Sequence, residues 1–107
     1  MEINNLKENI KKILDNKKAV DIEEICVKDK TTITDYFIIA SGTSSSQIKS
    51  LAENLEYELS KINIKARQVE GDKNNGWILL DFGDIIVHIF LPEIRALYKL
   101  SNLWETR

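Results

Sequence analysis

Few side chains in this sequence could do chemistry. They are the single histidine, His88, the single cysteine, Cys26, and the aspartates Asp35, Asp81 and Asp84, which could be arranged as general acids or bases. A Cys–His nucleophile needs the two groups side by side, and no local signature places Cys26 beside His88. Cys26 reads more simply as a small core hydrophobe. One His and one Cys do not build a Cys/His zinc site. No D-x-D or paired-carboxylate strand for Mg²⁺, no G-x-S-x-G elbow and no H-E-x-x-H occurs. Gly42-Thr43-Ser44-Ser45-Ser46-Gln47 could cradle a phosphate at a helix start, yet it lacks G-x-x-x-x-G-K-[ST] and G-x-G-x-x-G. Helix capping by Ser44 with Gln47 is the plainer reading. No catalytic set, metal or cofactor is therefore expected. The one pair worth following is Asp81 with His88.

What would position that pair is a hairpin from Gly76 to Pro92, G-W-I-L-L-D-F-G-D-I-I-V-H-I-F-L-P. Two β-prone runs flank Gly83-Asp84, which suits a II′ turn. Counting outward pairs Phe82 with Ile85, Asp81 with Ile86, Leu80 with Val87, Leu79 with His88, Ile78 with Ile89 and Trp77 with Phe90. Side chains alternate across a strand. One face then carries Ile78, Leu80, Phe82, Ile85, Val87 and Ile89, all apolar, and should lie against helices. The other carries Trp77, Leu79, Asp81, Ile86, His88 and Phe90. Two readings of that mixed face stand side by side: a half-covered sheet face, or a docking surface for a protein partner. Asp81 and His88 sit diagonally on it, within reach of each other.

The other elements follow from periodicity. Residues 2–18 form an amphipathic helix with Ile3, Leu6, Ile10, Ile13 and Leu14 on one stripe and a solvated Lys/Glu/Asn face. Residues 19–27 suggest an edge or partly exposed strand. Asp35 to Ser41 reads as a central strand buried on both faces. Residues 45–62 are the clearest helix, with Ile48, Leu51, Ala52, Leu55, Leu59 and Ile62 inward and Asn63 as its stop. Ile64 to Val69 is a short edge strand, and 70–76 is a loop that delivers Trp77. Pro92 opens a helix over 93–100 with Ile94, Leu97 and Tyr98 on one side. Arg95, Tyr98 and Lys99 are expected beside the mixed face, and Leu103 and Trp104 fold back onto the domain. The order is α-β-β-α-β-β-β-α: an α/β (α+β) single domain spanning 1–107, with a mixed sheet of about five strands and helices packed on it.

Composition narrows the function classes. A chain of 107 residues suits one domain, and 43% hydrophobic residues argue against disorder. With 15 basic and 17 acidic side chains there is no basic stripe for nucleic acid, so no direct sequence-specific nucleic-acid binding is expected. The lone cysteine suits a reducing cytosol. No basic segment precedes an apolar run at the N-terminus, and no run approaches a membrane span. A cytoplasmic protein without a membrane partner is expected.

Four segments closely resemble the ribosomal silencing factor family, also called the Iojap family. They are D-Y-F-I-I-A-S-G-T-S-S-S-Q-I (35–48), E-G-D (70–72), W-I-L-L-D-F-G-D-I-I-V-H-I-F (77–90) and E-I-R-A-L-Y-K-L-S-N-L-W (93–104). The likeness runs from about residue 2 to 104. It departs at Ser46, where many members carry Arg, and at Ser101, where Glu is usual. The resemblance implies a nucleotidyltransferase-like fold without that enzyme's metal carboxylates, and no enzymatic activity. It implies binding to the large ribosomal subunit through its ribosomal protein number fourteen, which blocks joining of the small subunit and lowers translation when nutrients are scarce. It implies contact residues Trp77, Leu79, Asp81, His88, Tyr98 and Lys99, with Trp77 as apolar anchor, Asp81 and His88 as polar register and Lys99 as a rim charge. The first four lie on the mixed hairpin face. Homodimerisation through that face is left open.

Overall fold

The computed structural model describes residues 2–72 and 74–98, the last by its backbone alone. Lys99, Leu103 and Trp104, for which the sequence raised expectations, lie outside the described residues.

Helix α1 spans Ile3–Asn16 and buries Leu6, Ile10 and Leu14, three members of the anticipated stripe. Lys7 is buried as well, contrary to a fully solvated polar face. Its ammonium donates to Glu24 at 2.9 Å and lies 3.8 Å from the centroid of the Tyr36 ring, so charge pairing and a cation–π contact offset its desolvation. Strand β1 (Val20–Cys26) follows, with a register shift between Val20 and Glu23 and Asp21 at φ 51°. That shift sends Ile25 to one face and leaves Cys26 and Glu24 on the other, at the sheet edge. Cys26 is consequently exposed, not a core residue.

Strand β2 (Tyr36–Ser41) is central, paired antiparallel with β1 and parallel with β5 (Ile85–Phe90). Helix α2 (Ser45–Ser60) begins at Ser44, whose Oγ accepts from the Gln47 N–H at 3.1 Å. The other arm of the expected capping box differs. Gln47 Oε1 accepts from the Thr43 backbone N–H and hydroxyl, while its Nε2 donates to Lys18 O. The start of α2 is thereby tied to the end of α1. Asn63 adopts φ 64°, the left-handed stop expected of it, and the Ile64 N–H closes back on Leu59 O. Ile62 falls beyond the helix end and is exposed, so it drops out of the inward set.

Strand β3 is Gln68–Asp72. It starts later than the sequence suggested, and Glu70 to Asp72 are strand residues, because they pair with β4 (Trp77–Asp81) from Gln68↔Asp81 to Asp72↔Trp77. The β4–β5 register matches the count from the turn at every pair from Trp77↔Phe90 to Asp81↔Ile86. The Phe82 N–H donates to Ile85 O, and Gly83 has φ 93°, as the first position of a II′ turn requires. The sheet order is β1-β2-β5-β4-β3, and the element order is α-β-β-α-β-β-β-α. Helix α3 is Pro92–Tyr98, with Pro92 as its first residue.

Helices α1 and α2 cover the apolar hairpin face. Ile78, Leu80, Ile85, Val87 and Ile89 join Ile38 and Ala40 in one core with both helices, while Phe82 packs at its margin. The opposite face holds a second cluster: Ile25, Val27, Phe37, Ile39, Ile86 and Phe90, with Trp77, Leu79 and Ile94 against it. Ile94 comes from α3; Leu97 does not pack but is 72% exposed.

Candidate functional site

The mixed face of the hairpin is the candidate site. On it the cross-strand pairs are Trp77 with Phe90, Leu79 with His88 and Asp81 with Ile86. β3 extends the same face outward, because Asp72 lies opposite Trp77, Glu70 opposite Leu79 and Gln68 opposite Asp81. The two halves of the face differ. Toward the sheet centre, Ile86, His88 and Phe90 are buried. Toward the β3 edge, Trp77 and Leu79 are half-buried and line an open cleft of about 430 Å³ with Glu70, Gly71 and Asn75. Apolar surface rimmed by polar groups therefore sits at the edge side.

Two Asx turns shape this edge. Asp72 Oδ1 accepts from the Asn74 and Asn75 N–H groups at 2.8 and 3.0 Å, which closes the β3–β4 connection. Asp81 Oδ1 accepts from the Gly83 N–H at 2.8 Å, which supports the β4–β5 turn. The Asp81 carboxylate thus serves its own turn, and no hydrogen bond joins it to His88. The histidine takes the other diagonal: Trp77 Nε1 donates to His88 Nδ1 at 3.1 Å. The imidazole is 4% exposed, edge-on to Phe37 at 4.9 Å between ring centroids and parallel to Phe90 at 6.0 Å. Burial pushes its pKa down to about 4, so it is neutral at ordinary pH. It lies buried against Trp77 and presents almost no surface of its own, unlike the contact residue the resemblance implied.

Gly76 fixes where Trp77 emerges. It has φ 73°, and a Cβ there would stand 2.7 Å from Ile94 Cγ1. The Leu91 N–H donates to Gly76 O, so the start of β4 is clamped against the start of α3. Arg95 borders the mixed face as expected, on its β1–β2 side: Nη1 donates to Ser41 Oγ at 2.9 Å, beside Phe90, and Nη2 to Glu23 at 3.0 Å, beside Ile39. Tyr98 closes α3. The residues that sequence reasoning did not include are Glu70 and Asn75, which it placed in a loop. The alternation of Gln68, Glu70 and Asp72 was the available signal.

Among the described residues, no group of three or more His, Cys, Asp or Glu side chains is placed to hold a metal ion. None of their helices is long and apolar enough to cross a membrane.

A sequence model of the family described as "Ribosomal silencing factor during starvation" matches residues 1–107. The chain belongs to the ribosomal silencing factor family. A ribosomal silencing factor from Haemophilus influenzae is 39% identical over 99 residues, covering 92% of this chain and 97% of that one. A mouse relative named "Mitochondrial assembly of ribosomal large subunit protein 1" is 33% identical over 98 residues, covering 89% of this chain and 43% of the mouse protein. Among solved structures, one from Chromobacterium violaceum superposes with a TM-score of 0.93 at 31% identity, covering 98% of this chain and 88% of that chain. The five-stranded sheet and its helices thus share a fold already seen by crystallography.

Proposed function

We propose that this ribosomal silencing factor is a non-enzymatic repressor of translation in the cytoplasm. It binds the large ribosomal subunit through ribosomal protein number fourteen and, seated there, keeps the small subunit from joining when nutrients are scarce. Membership of the silencing family is the observation that carries the reading. The mouse relative's name, which refers to the ribosomal large subunit, supports the choice of subunit. The half-buried Trp77 and Leu79, framed by Glu70 and Asn75, support the hairpin edge as the contact. Steric exclusion needs only a rigid body on the joining surface, and the described chain measures 34 × 34 × 21 Å. The rival reading, phosphate chemistry at the Gly42–Ser46 loop, is weakened because Gln47 Oε1 already takes the Thr43 N–H and hydroxyl, and Ser44 Oγ takes the Gln47 N–H.

Sucrose-gradient sedimentation with isolated subunits tests the reading. Wild-type protein should travel with the large subunit alone, and a Trp77→Glu variant should stay at the top. A Trp77→Glu variant that still travels with the large subunit would remove the hairpin edge as the docking surface. Absence of wild-type co-migration at low salt would remove the partner.

A further inference from the structure

We infer that His88 is a positioning residue for the docking surface: its Nδ1 holds the Trp77 indole N–H inward, so that the ring meets its partner as a purely apolar surface. The inference rests on the proposed role of Trp77 as an anchor, and it starts from a chemical mismatch. His88 is buried on a face otherwise built from Phe37, Ile39, Ile86 and Phe90. An indole nitrogen only donates, so the 3.1 Å contact makes Nδ1 the acceptor and leaves the imidazole proton on Nε2. Nε2 is itself buried and has no hydrogen-bond partner among the described residues. A leucine or phenylalanine would fill the site without that orphaned donor. What neither can do is accept from an indole. The acceptor stays available because burial keeps His88 neutral at ordinary pH.

Trp77 has one polar atom, and His88 occupies it from below. The ring that borders the cleft with Leu79, Glu70 and Asn75 has no donor left for that hydrogen bond to make elsewhere. The partner groove should accordingly be apolar where the indole enters. The rim groups, not the anchor, would supply the polar contacts.

Two variants of nearly equal size separate positioning from packing. In His88→Asn the side-chain oxygen falls near the place of Nδ1 and can accept; in His88→Leu nothing can. The first readout is hydrogen exchange of the Trp77 indole N–H by NMR, with the resonance assigned by its loss in Trp77→Phe. The second is affinity for isolated large subunits. Exchange should quicken and affinity should fall by about fivefold each in His88→Leu, the equivalent of one ordinary hydrogen bond, and both should stay within about twofold of wild type in His88→Asn. Stability should run the other way, with the Leu variant the more stable, because the Asn side-chain NH2 is buried without a partner among the described residues, as Nε2 is in the wild type. In a Trp77→Phe background, His88→Leu should cost no further affinity. Unchanged indole exchange in His88→Leu would overturn the inference, as would Asn and Leu variants that behave alike. The exchange readout needs no ribosome, so a wild type that binds no large subunit would count against the docking reading alone.

Discussion

Replacing His88 by leucine should flatten part of the acid limb of the stability curve, and the size of the effect follows from burial. An unfolded histidine titrates near 6.5, whereas in the fold burial moves His88 to about 4. Between those values the unfolded chain binds a proton that the folded chain refuses. Stability is therefore full above the unfolded value and is lost as pH falls through that window. The loss attributable to this one group is about 2 kcal/mol between pH 7 and pH 5, and about 3 kcal/mol by pH 4. Urea titrations of wild type and His88→Leu at pH 7, 6, 5 and 4 measure it. Carboxylates such as Glu24, held below their ordinary range, contribute at the acid end of both curves and cancel in the difference. The wild-type curve should drop below the variant's progressively as pH falls. Parallel curves would refute the reasoning, because they would mean that the fold does not penalise the imidazolium.

Two further substitutions test how the fold holds the site. Glu24 is worked on in opposite senses: burial disfavours its charge, but hydrogen bonds from Lys11 and Lys7 prevail and lower its pKa. Glu24→Gln should cost about 1–3 kcal/mol at neutral pH by urea denaturation, and the deficit should shrink as pH falls through the carboxylate range. Gly76 and Gly83 both have positive φ, but only at Gly76 would a Cβ meet a core side chain, Ile94. Gly83→Ala should cost about 1–2 kcal/mol and Gly76→Ala measurably more in the same assay.

The hairpin was legible because a two-residue turn and a period of two leave no freedom once Gly83-Asp84 is taken as the turn. Every pair from Trp77 to Asp81 followed from that one assignment. α2 was legible for a similar reason: Ser44 and Asn63 mark its ends with specific backbone chemistry. Exposure at the sheet edge was not legible. Cys26 follows from a bulge around Asp21 that no local pattern announces, and Lys7 is buried only because Glu24 and Tyr36 come to it across the fold. The site itself was half legible. Counting put Asp81 diagonal to His88, and the same register makes Trp77 its other diagonal neighbour. The turn decided between them, since the Gly83 N–H claims the Asp81 carboxylate and leaves the imidazole to the indole.

The central claim, silencing by exclusion, is tested most directly by subunit joining. Purified large subunits are incubated with increasing protein, small subunits are added, and the yield of joined ribosomes is read by light scattering. The yield should fall as the protein saturates the large subunits, and Trp77→Glu should restore it. Joining that proceeds undiminished on large subunits shown to carry the protein would contradict the account.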